Sequence, residues 1–169
     1  MRTERQKLKF IKMQSCGNDY IYFDCMHQKI NNPEGLSAAL SDRHYGVGGD
    51  GVVLISKSKT ADADMRMFNL DGSEGPMSGN AIRCVAKYLY DSGKVKKEVM
   101  SISTKSGIKT LKLQVSGGEV SEVTVDMGKA EFAPSKVPVA ISAQEVINHP
   151  AKIGGADYRI NCVSMGNPH

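Results

Sequence analysis

The stretch FNLDGSEGPMSGNAIRCVAKYLYD, residues 68–91, determines how the rest of this sequence is interpreted. It starts as a β-like segment, passes through a turn rich in Gly, Ser and Asp, and enters a helix predicted from Gly79 to about Tyr90. Arg83 and Lys87, four residues apart, lead a narrow polar stripe on that helix. Because most of its circumference is apolar, we predict that the helix is enclosed by the rest of the fold.

Segments rich in β-branched and aromatic residues occur on both sides of this helix. Strands are predicted at residues 8–13, 20–25, 52–56, 65–69 and 99–104, with a hairpin at Gly117-Gly118 and a last β-like run at 158–165. An earlier helix is predicted, with Asn32 as N-cap, Pro33 at its first position and its end in the glycine-rich stretch of residues 45–51. No long helices connect the strands, which disfavours a doubly wound fold. We therefore predict an α+β fold, a curved mixed or antiparallel, barrel-like sheet around the central helix.

Composition and charge exclude several classes of protein. At 169 residues, 40% hydrophobic and 24% charged, the chain suits one globular domain. Its net charge of +4 is located in the first twelve residues, through Arg2, Glu4, Arg5, Lys7, Lys9 and Lys12. A basic N-terminus without a basic face or interleaved aromatics does not predict a nucleic-acid partner.

The cysteines and the hydropathy pattern exclude other expectations. The four cysteines are far apart without a C-x-x-C pair, and the four histidines are scattered, so no metal site is predicted. No signal peptide and no run of about 20 apolar residues is visible. We expect a cytoplasmic protein with no membrane partner.

The turn before the central helix has the features of an anion-binding site. The first N–H groups of a helix are unpaired and carry partial positive charge, which suits a carboxylate. Gly79 lets a ligand approach the backbone, and the Asn80 amide offers a donor and an acceptor. Ser78 is equally well explained as an ordinary N-cap.

Two other corners repeat the Gly-Asn pair, at Gly17-Asn18 and Gly166-Asn167. Three such corners could converge on one anionic or zwitterionic ligand. Alternatively, each is a turn that uses the ease with which Gly and Asn adopt left-handed backbone. The residues alone leave both interpretations open.

Three segments, in this order, resemble diaminopimelate epimerase: IKMQSCGNDYIYFD, FNLDGSEGPMSGNAIRC and VSMGNPH. The resemblance covers nearly the whole chain and corresponds to the N-terminal half of that enzyme. It implies a cofactor-independent two-base reaction that interconverts LL- and meso-diaminopimelate in lysine and peptidoglycan precursor synthesis. It also implies two pseudo-symmetric domains, with the substrate between them and one cysteine from each at a helix N-terminus.

The resemblance assigns roles to individual residues. Ser78 occupies the position of the family's catalytic cysteine, and His169 would lie beside the site in a supporting catalytic role. Cys84 is no substitute, because it lies six residues further on, inside the helix. The substrate's polar groups would be held by Asn18, Asn69, Gly79, Asn80 and Asn167.

This sequence departs from the family in two ways. A serine hydroxyl is far less acidic than a thiol, so we expect negligible racemisation with Ser78 in place. We also expect residues 1–169 to form a single N-terminal domain, whose residues after about 155 lead toward a missing second domain. Alternatives are a racemase of the same fold for another amino acid, such as histidine, or a non-catalytic amino-acid-binding fragment. A homodimer is left open.

Overall fold

A computed structural model describes residues 7–169. Arg2, Glu4 and Arg5, part of the basic N-terminus, lie outside the described residues. The chain divides into two compact units, one that ends at Asp126 and one from Met127 to His169, and each is described by itself. None of the helices within residues 7–169 has the length and apolar character needed to cross a membrane.

A mixed sheet, eight-stranded within the described residues, forms the first unit. The elements of this unit are β1 Ile11–Ser15, β2 Asn18–Asp24, α1 Pro33–Ser41, β3 Gly51–Ser56, β4 Ala63–Asn69, β5 Glu74–Gly75, α2 Gly79–Asp91, β6 Val99–Thr104, β7 Gly107–Ser116 and β8 Glu119–Val125. Neighbouring strands follow the order β1-β2-β3-β4-β6-β7-β8, with β5 beside β4. The β2–β3 and β4–β6 pairs are parallel, and the other pairs are antiparallel.

The helix α2 packs against β1, β2, β7 and β8 and lies in the main hydrophobic core. Its buried side chains are Ala81, Ile82, Cys84, Val85, Ala86 and Leu89. The polar stripe is stabilised by an ion pair between Lys87 and Asp91, with 2.7 Å between nitrogen and oxygen. The α+β prediction, with a curved sheet around one enclosed helix, is confirmed.

The two faces of the sheet contact different helices. Along β2, Tyr20 and Tyr22 belong to the core around α2, whereas Ile21 and Phe23 belong to a second cluster that also contains residues of α1. Alternate residues of a strand point to opposite faces, so β2 is buried on both sides. This double burial explains why residues 20–23 read as a continuous apolar run.

The helix α1 begins as predicted but ends early. Asn32 Oδ1 accepts a hydrogen bond from Gly35 N at 3.0 Å, and Pro33 is the first helical residue. The helix ends at Ser41, before the glycine-rich stretch at which we expected it to stop. Asp42 Oδ1 accepts from two following backbone N–H groups, and this turn takes the chain out of the helix.

The second unit contains an antiparallel hairpin, β9 His149–Ile153 and β10 Ala156–Ile160. The predicted run 158–165 is therefore a strand only as far as Ile160; beyond it, Ser164 forms an isolated bridge with Glu131. Strand β9 was not predicted, because Pro150 within it reads as a turn residue. The buried apolar side chains of the second unit include Val137 and Val146.

Candidate active site

Strand register brings the predicted site residues Asn18 and Asn69 to one end of the first sheet, together with Gly51. Asn18 is the first residue of β2 and Gly51 the first of β3, and these two strands run parallel. Gly51 lies opposite Asn69, the last residue of β4, in the antiparallel β3–β4 pair. The starts of β2 and β3 therefore meet the end of β4, although these residues are far apart in sequence.

The first turn of α2 lies at this same end. Tyr22 of β2 donates its hydroxyl to Ala81 O in that turn, at 3.4 Å. Burial raises the pKa of the nearby Tyr20, and the side chains of Asn18 and Ser78 act in the opposite direction. The Tyr22 contact thus joins β2 to the first turn of α2.

Arg83 joins α2 to the turn between β1 and β2. Its Nε and one terminal nitrogen donate to Ser15 Oγ at 3.0 and 2.7 Å, and the same terminal nitrogen donates to Asn80 Oδ1. Cys16 Sγ lies 3.4 Å from that nitrogen. The hydrogen bond from Arg83 fixes the side chain of Asn80 with its carbonyl oxygen directed at the guanidinium.

The N-terminus of α2 has the hydrogen-bonding pattern of an anion site. Ser78 Oγ accepts from Ala81 N at 3.3 Å, and Ser78 O accepts from Ile82 N at 3.0 Å. Within residues 7–169, the N–H groups of Gly79 and Asn80 have no hydrogen-bond partner. Two unpaired donors at the positive end of a 13-residue helix suit a carboxylate.

Asn69 is held in place from both sides. Its backbone N–H donates to Ser73 O at 2.8 Å, and its Nδ2 donates to Ser73 Oγ at 3.0 Å. The buried Ser37 of α1 donates to Asn69 O at 2.8 Å. The turn thus positions the Asn69 side chain, and the helix holds the Asn69 backbone.

Sequence reasoning missed a charged cluster beside Asn18. Asp50 Oδ2 accepts from Asn18 Nδ2 at 2.6 Å and from Asp19 N at 3.0 Å. Arg43 donates to both carboxylates, and Lys12 adds an ion pair to Asp19 at 3.1 Å. No local pattern indicates this cluster, because Asp50 lies among glycines that are typical of a turn.

Cys84 lies in the core, apart from the helix N-terminus. Its side chain is buried, beside Tyr22. Burial raises the pKa of the Cys84 thiol, which keeps it protonated and unreactive near neutral pH. The structure agrees with the expectation that Cys84 does not replace a thiol at position 78.

Asn167 and His169 lie in the second unit and contact each other. His169 Nε2 is 3.1 Å from Asn167 Oδ1, and both residues are exposed. Backbone hydrogen bonds between His169 and Val163, at 2.8 and 3.1 Å, hold this end of the chain. The structure therefore has Asn167 and His169 in the second unit, whereas Asn18, Asn69, Ser78, Gly79 and Asn80 belong to the first. Within residues 7–169, no group of three or more His, Cys, Asp or Glu side chains is arranged to hold a metal ion.

Residues 10–133 match the family described as diaminopimelate epimerase. The chain belongs to this family. It is 47% identical over 162 residues to a diaminopimelate epimerase of Acetivibrio thermocellus and 49% identical to one of Methanococcus maripaludis. Each comparison covers 96% of this chain and 58% of the relative, so the chain spans a little over half of the length of these relatives.

A solved structure shows the same fold at low identity. The chain resembles a hydroxyproline epimerase from Agrobacterium vitis with a TM-score of 0.63 and 16% identity. The match covers 91% of this chain and 48% of that enzyme. At this identity the likeness supports the architecture alone.

Proposed function

We propose that this chain is the N-terminal half of a cofactor-independent epimerase that interconverts LL- and meso-diaminopimelate. The observation that carries the proposal is the start of α2, where the N–H groups of Gly79 and Asn80 are unpaired within the described residues and Arg83 joins Asn80 to Ser15 beside the β1–β2 turn. The names of the relatives supply the substrate. We place the reaction in lysine and peptidoglycan precursor synthesis, in the cytoplasm.

The proposed reaction inverts the α-carbon with two bases. One base takes the α-proton, the electron pair of that C–H bond delocalises into the carboxylate, and an acid on the opposite face delivers a new proton to the carbon. The developing negative charge requires preorganised donors at the carboxylate. The Gly79 and Asn80 N–H groups would supply these donors, and Asn18, Asn69 and Asn167 would hold the other polar groups.

Ser78 removes the first base from this scheme. The usual pKa of a thiol is about 8.5, and a helix N-terminus lowers it. A serine hydroxyl does not ionise near neutral pH. Ser78 Oγ already accepts a hydrogen bond from Ala81 N, and no described contact joins it to an imidazole or a carboxylate. We propose that this chain binds an amino acid without racemising it.

The remaining assignments rest on the family resemblance. His169 would support catalysis, residues 1–169 would form one N-terminal domain, and residues after about 155 would lead to the second. A homodimer without nucleic-acid partners is the proposed assembly.

A second candidate is a non-catalytic amino-acid-binding protein. The observation in its favour is that Ser78 is a well-formed N-cap, with extended backbone and its hydroxyl engaged by the helix. In such a binding protein Ser78 would serve only as the helix N-cap, and the ligand would be bound without being converted.

The test restores the missing chemistry. The Ser78→Cys variant is joined to the remaining part of the Acetivibrio thermocellus relative, and NMR follows loss of the α-proton of diaminopimelate in deuterated water. We expect exchange and inversion with the cysteine, and a rate at least about 10³-fold lower with Ser78, because the base is lost.

The joined protein with Ser78 is the matched control, and histidine is the alternative substrate. Exchange of histidine but not of diaminopimelate would reject the proposed substrate. Equal exchange with serine and cysteine at position 78 would reject the proposed role of that residue.

A further inference from the structure

The orientation of the Asn18 amide is fixed by the chemistry of its neighbour. Asp50 Oδ2 lies 2.6 Å from Asn18 Nδ2, and a carboxylate can only accept hydrogen bonds. The atom that faces Asp50 is therefore the amide nitrogen, and Oδ1 points the other way. Oδ1 has no hydrogen-bond partner within residues 7–169.

Asp50 is itself held rigidly where it meets Asn18. The same Oδ2 accepts from Asp19 N at 3.0 Å, and Asp50 N donates to Asp19 O at 2.6 Å. Arg43 donates to Oδ1 at 3.1 Å from the solvent side. These contacts restrict the Asp50 carboxylate to one orientation, and the Asn18 side chain that it binds is restricted with it.

We propose that Asp50 is a positioning residue that holds the Asn18 amide with its oxygen toward the ligand, as an acceptor for the ammonium group of an amino acid. An amino acid presents a carboxylate, which only accepts, and an ammonium, which only donates. The N–H groups of Gly79 and Asn80 suit the first, and Asn18 Oδ1 suits the second. This inference rests on the proposed function and adds a residue that sets specificity for the charged amine.

The variants separate positioning from charge. Asp50→Ala removes the acceptor, so the Asn18 amide is free to rotate. Asp50→Asn keeps an oxygen for Asn18 and for Asp19 N but loses the charge that pairs with Arg43. Arg43→Gln removes the same ion pair while leaving the Asp50 carboxylate intact.

Calorimetry compares diaminopimelate with pimelate, which has the same carbon chain and carboxylates but no ammonium group. We expect Asp50→Ala to weaken diaminopimelate binding tenfold or more with little change for pimelate, because only the ammonium uses Asn18 Oδ1. Asp50→Asn and Arg43→Gln should stay within about threefold of the parent. Equal losses for both ligands, or a loss in Asp50→Asn as large as in Asp50→Ala, would overturn the proposal.

NMR of the ligand-free protein provides a readout that does not depend on binding. The Asn18 side-chain amide protons, identified by their disappearance in Asn18→Ala, should exchange slowly in the parent and in Asp50→Asn, and rapidly in Asp50→Ala. Equal exchange in all three proteins would reject positioning by Asp50. If the parent binds neither ligand, the proposed function fails, and these amide protons still decide the orientation. Circular dichroism verifies that each variant is folded.

Discussion

At position 78 the fold and the proposed chemistry require different atoms. The start of α2 needs an acceptor for Ala81 N, and a serine oxygen provides one at 3.3 Å. The reaction needs a thiolate, yet sulfur is a weak hydrogen-bond acceptor. Ser78 therefore satisfies the helix and not the reaction, which is why a folded site with intact binding groups is compatible with an inactive chain.

Asp19 gives a pH dependence that can be measured. Two nitrogens of Arg43 lie 2.7 and 3.2 Å from its oxygens, and with Lys12 they lower the pKa of Asp19 from 3.8 to about 2. A carboxyl with a lowered pKa in the folded state stabilises the protein at neutral pH, and this contribution is lost as pH falls from about 4 toward 2. We expect Asp19→Asn to lower the free energy of unfolding by about 1 to 2 kcal/mol at pH 7, since the exposed Arg43 leaves the ion pair partly screened by solvent.

Urea unfolding at pH 7 and at pH 3 measures that difference. Other carboxyls also have lowered pKa values, so the informative quantity is the gap between parent and variant, which should shrink at pH 3. Glu119→Gln, at the exposed start of β8, is the control and should change stability little at either pH. A gap for Asp19→Asn that is constant from pH 7 to pH 3 would contradict the assigned cause.

At the scale of the elements, the pairing of β3 with β4 leaves no room for a side chain at Gly51. A Cβ added there would lie 2.0 Å from Phe68 O and 3.0 Å from a ring carbon of Tyr20. Neither neighbour moves easily, because Phe68 and Tyr20 are buried. We expect Gly51→Ala to lower the free energy of unfolding by about 2 kcal/mol or more. Denaturant unfolding provides the measurement.

Gly117→Ala is the control for Gly51→Ala, because at Gly117 only the backbone conformation, and not a lack of space, opposes the substitution. Gly117 has a positive φ of 62°, yet nothing lies within 4 Å of an added Cβ. This control should cost only about 1 kcal/mol. If Gly51→Ala cost no more than Gly117→Ala, the close approach of the two strands would not be the cause.

Local patterns predicted those elements whose signals lie within about a dozen residues. The start of α1 at Pro33, the enclosed helix α2 and the hairpin at Gly117-Gly118 follow from caps, periodicity and turn residues. The parallel β2–β3 pair does not, because nothing local indicates which distant strand lies beside β2. The contact between Asn18 and Asp50 depends on that pair, so the sequence indicated the asparagine but not the carboxylate that orients it.

At the scale of the whole molecule, the two units differ in how much apolar surface they bury. In the first unit a helix and a large sheet share an extended core. In the second, the buried apolar side chains among the described residues are Pro134, Val137 and Val146, and the sheet has two strands there. An isolated two-stranded hairpin is marginally stable in water. The structure around Asn167 and His169 therefore has less packing to hold it than the structure around Asn18.

Hydrogen exchange provides the last prediction. We expect the backbone amides of β9 and β10 to exchange at least about 100-fold faster than those of β3 and β4, because local opening costs little free energy where few apolar groups are buried. Mass spectrometry of peptic fragments at pH 7 measures both segments in one sample, and the urea-unfolded chain gives the intrinsic rates as control. Protection of residues 149–160 equal to that of residues 51–69 would show that the second unit is held as firmly as the first. Asn167 and His169 would then lie on a rigid support, and their proposed roles would need no ordering by a ligand.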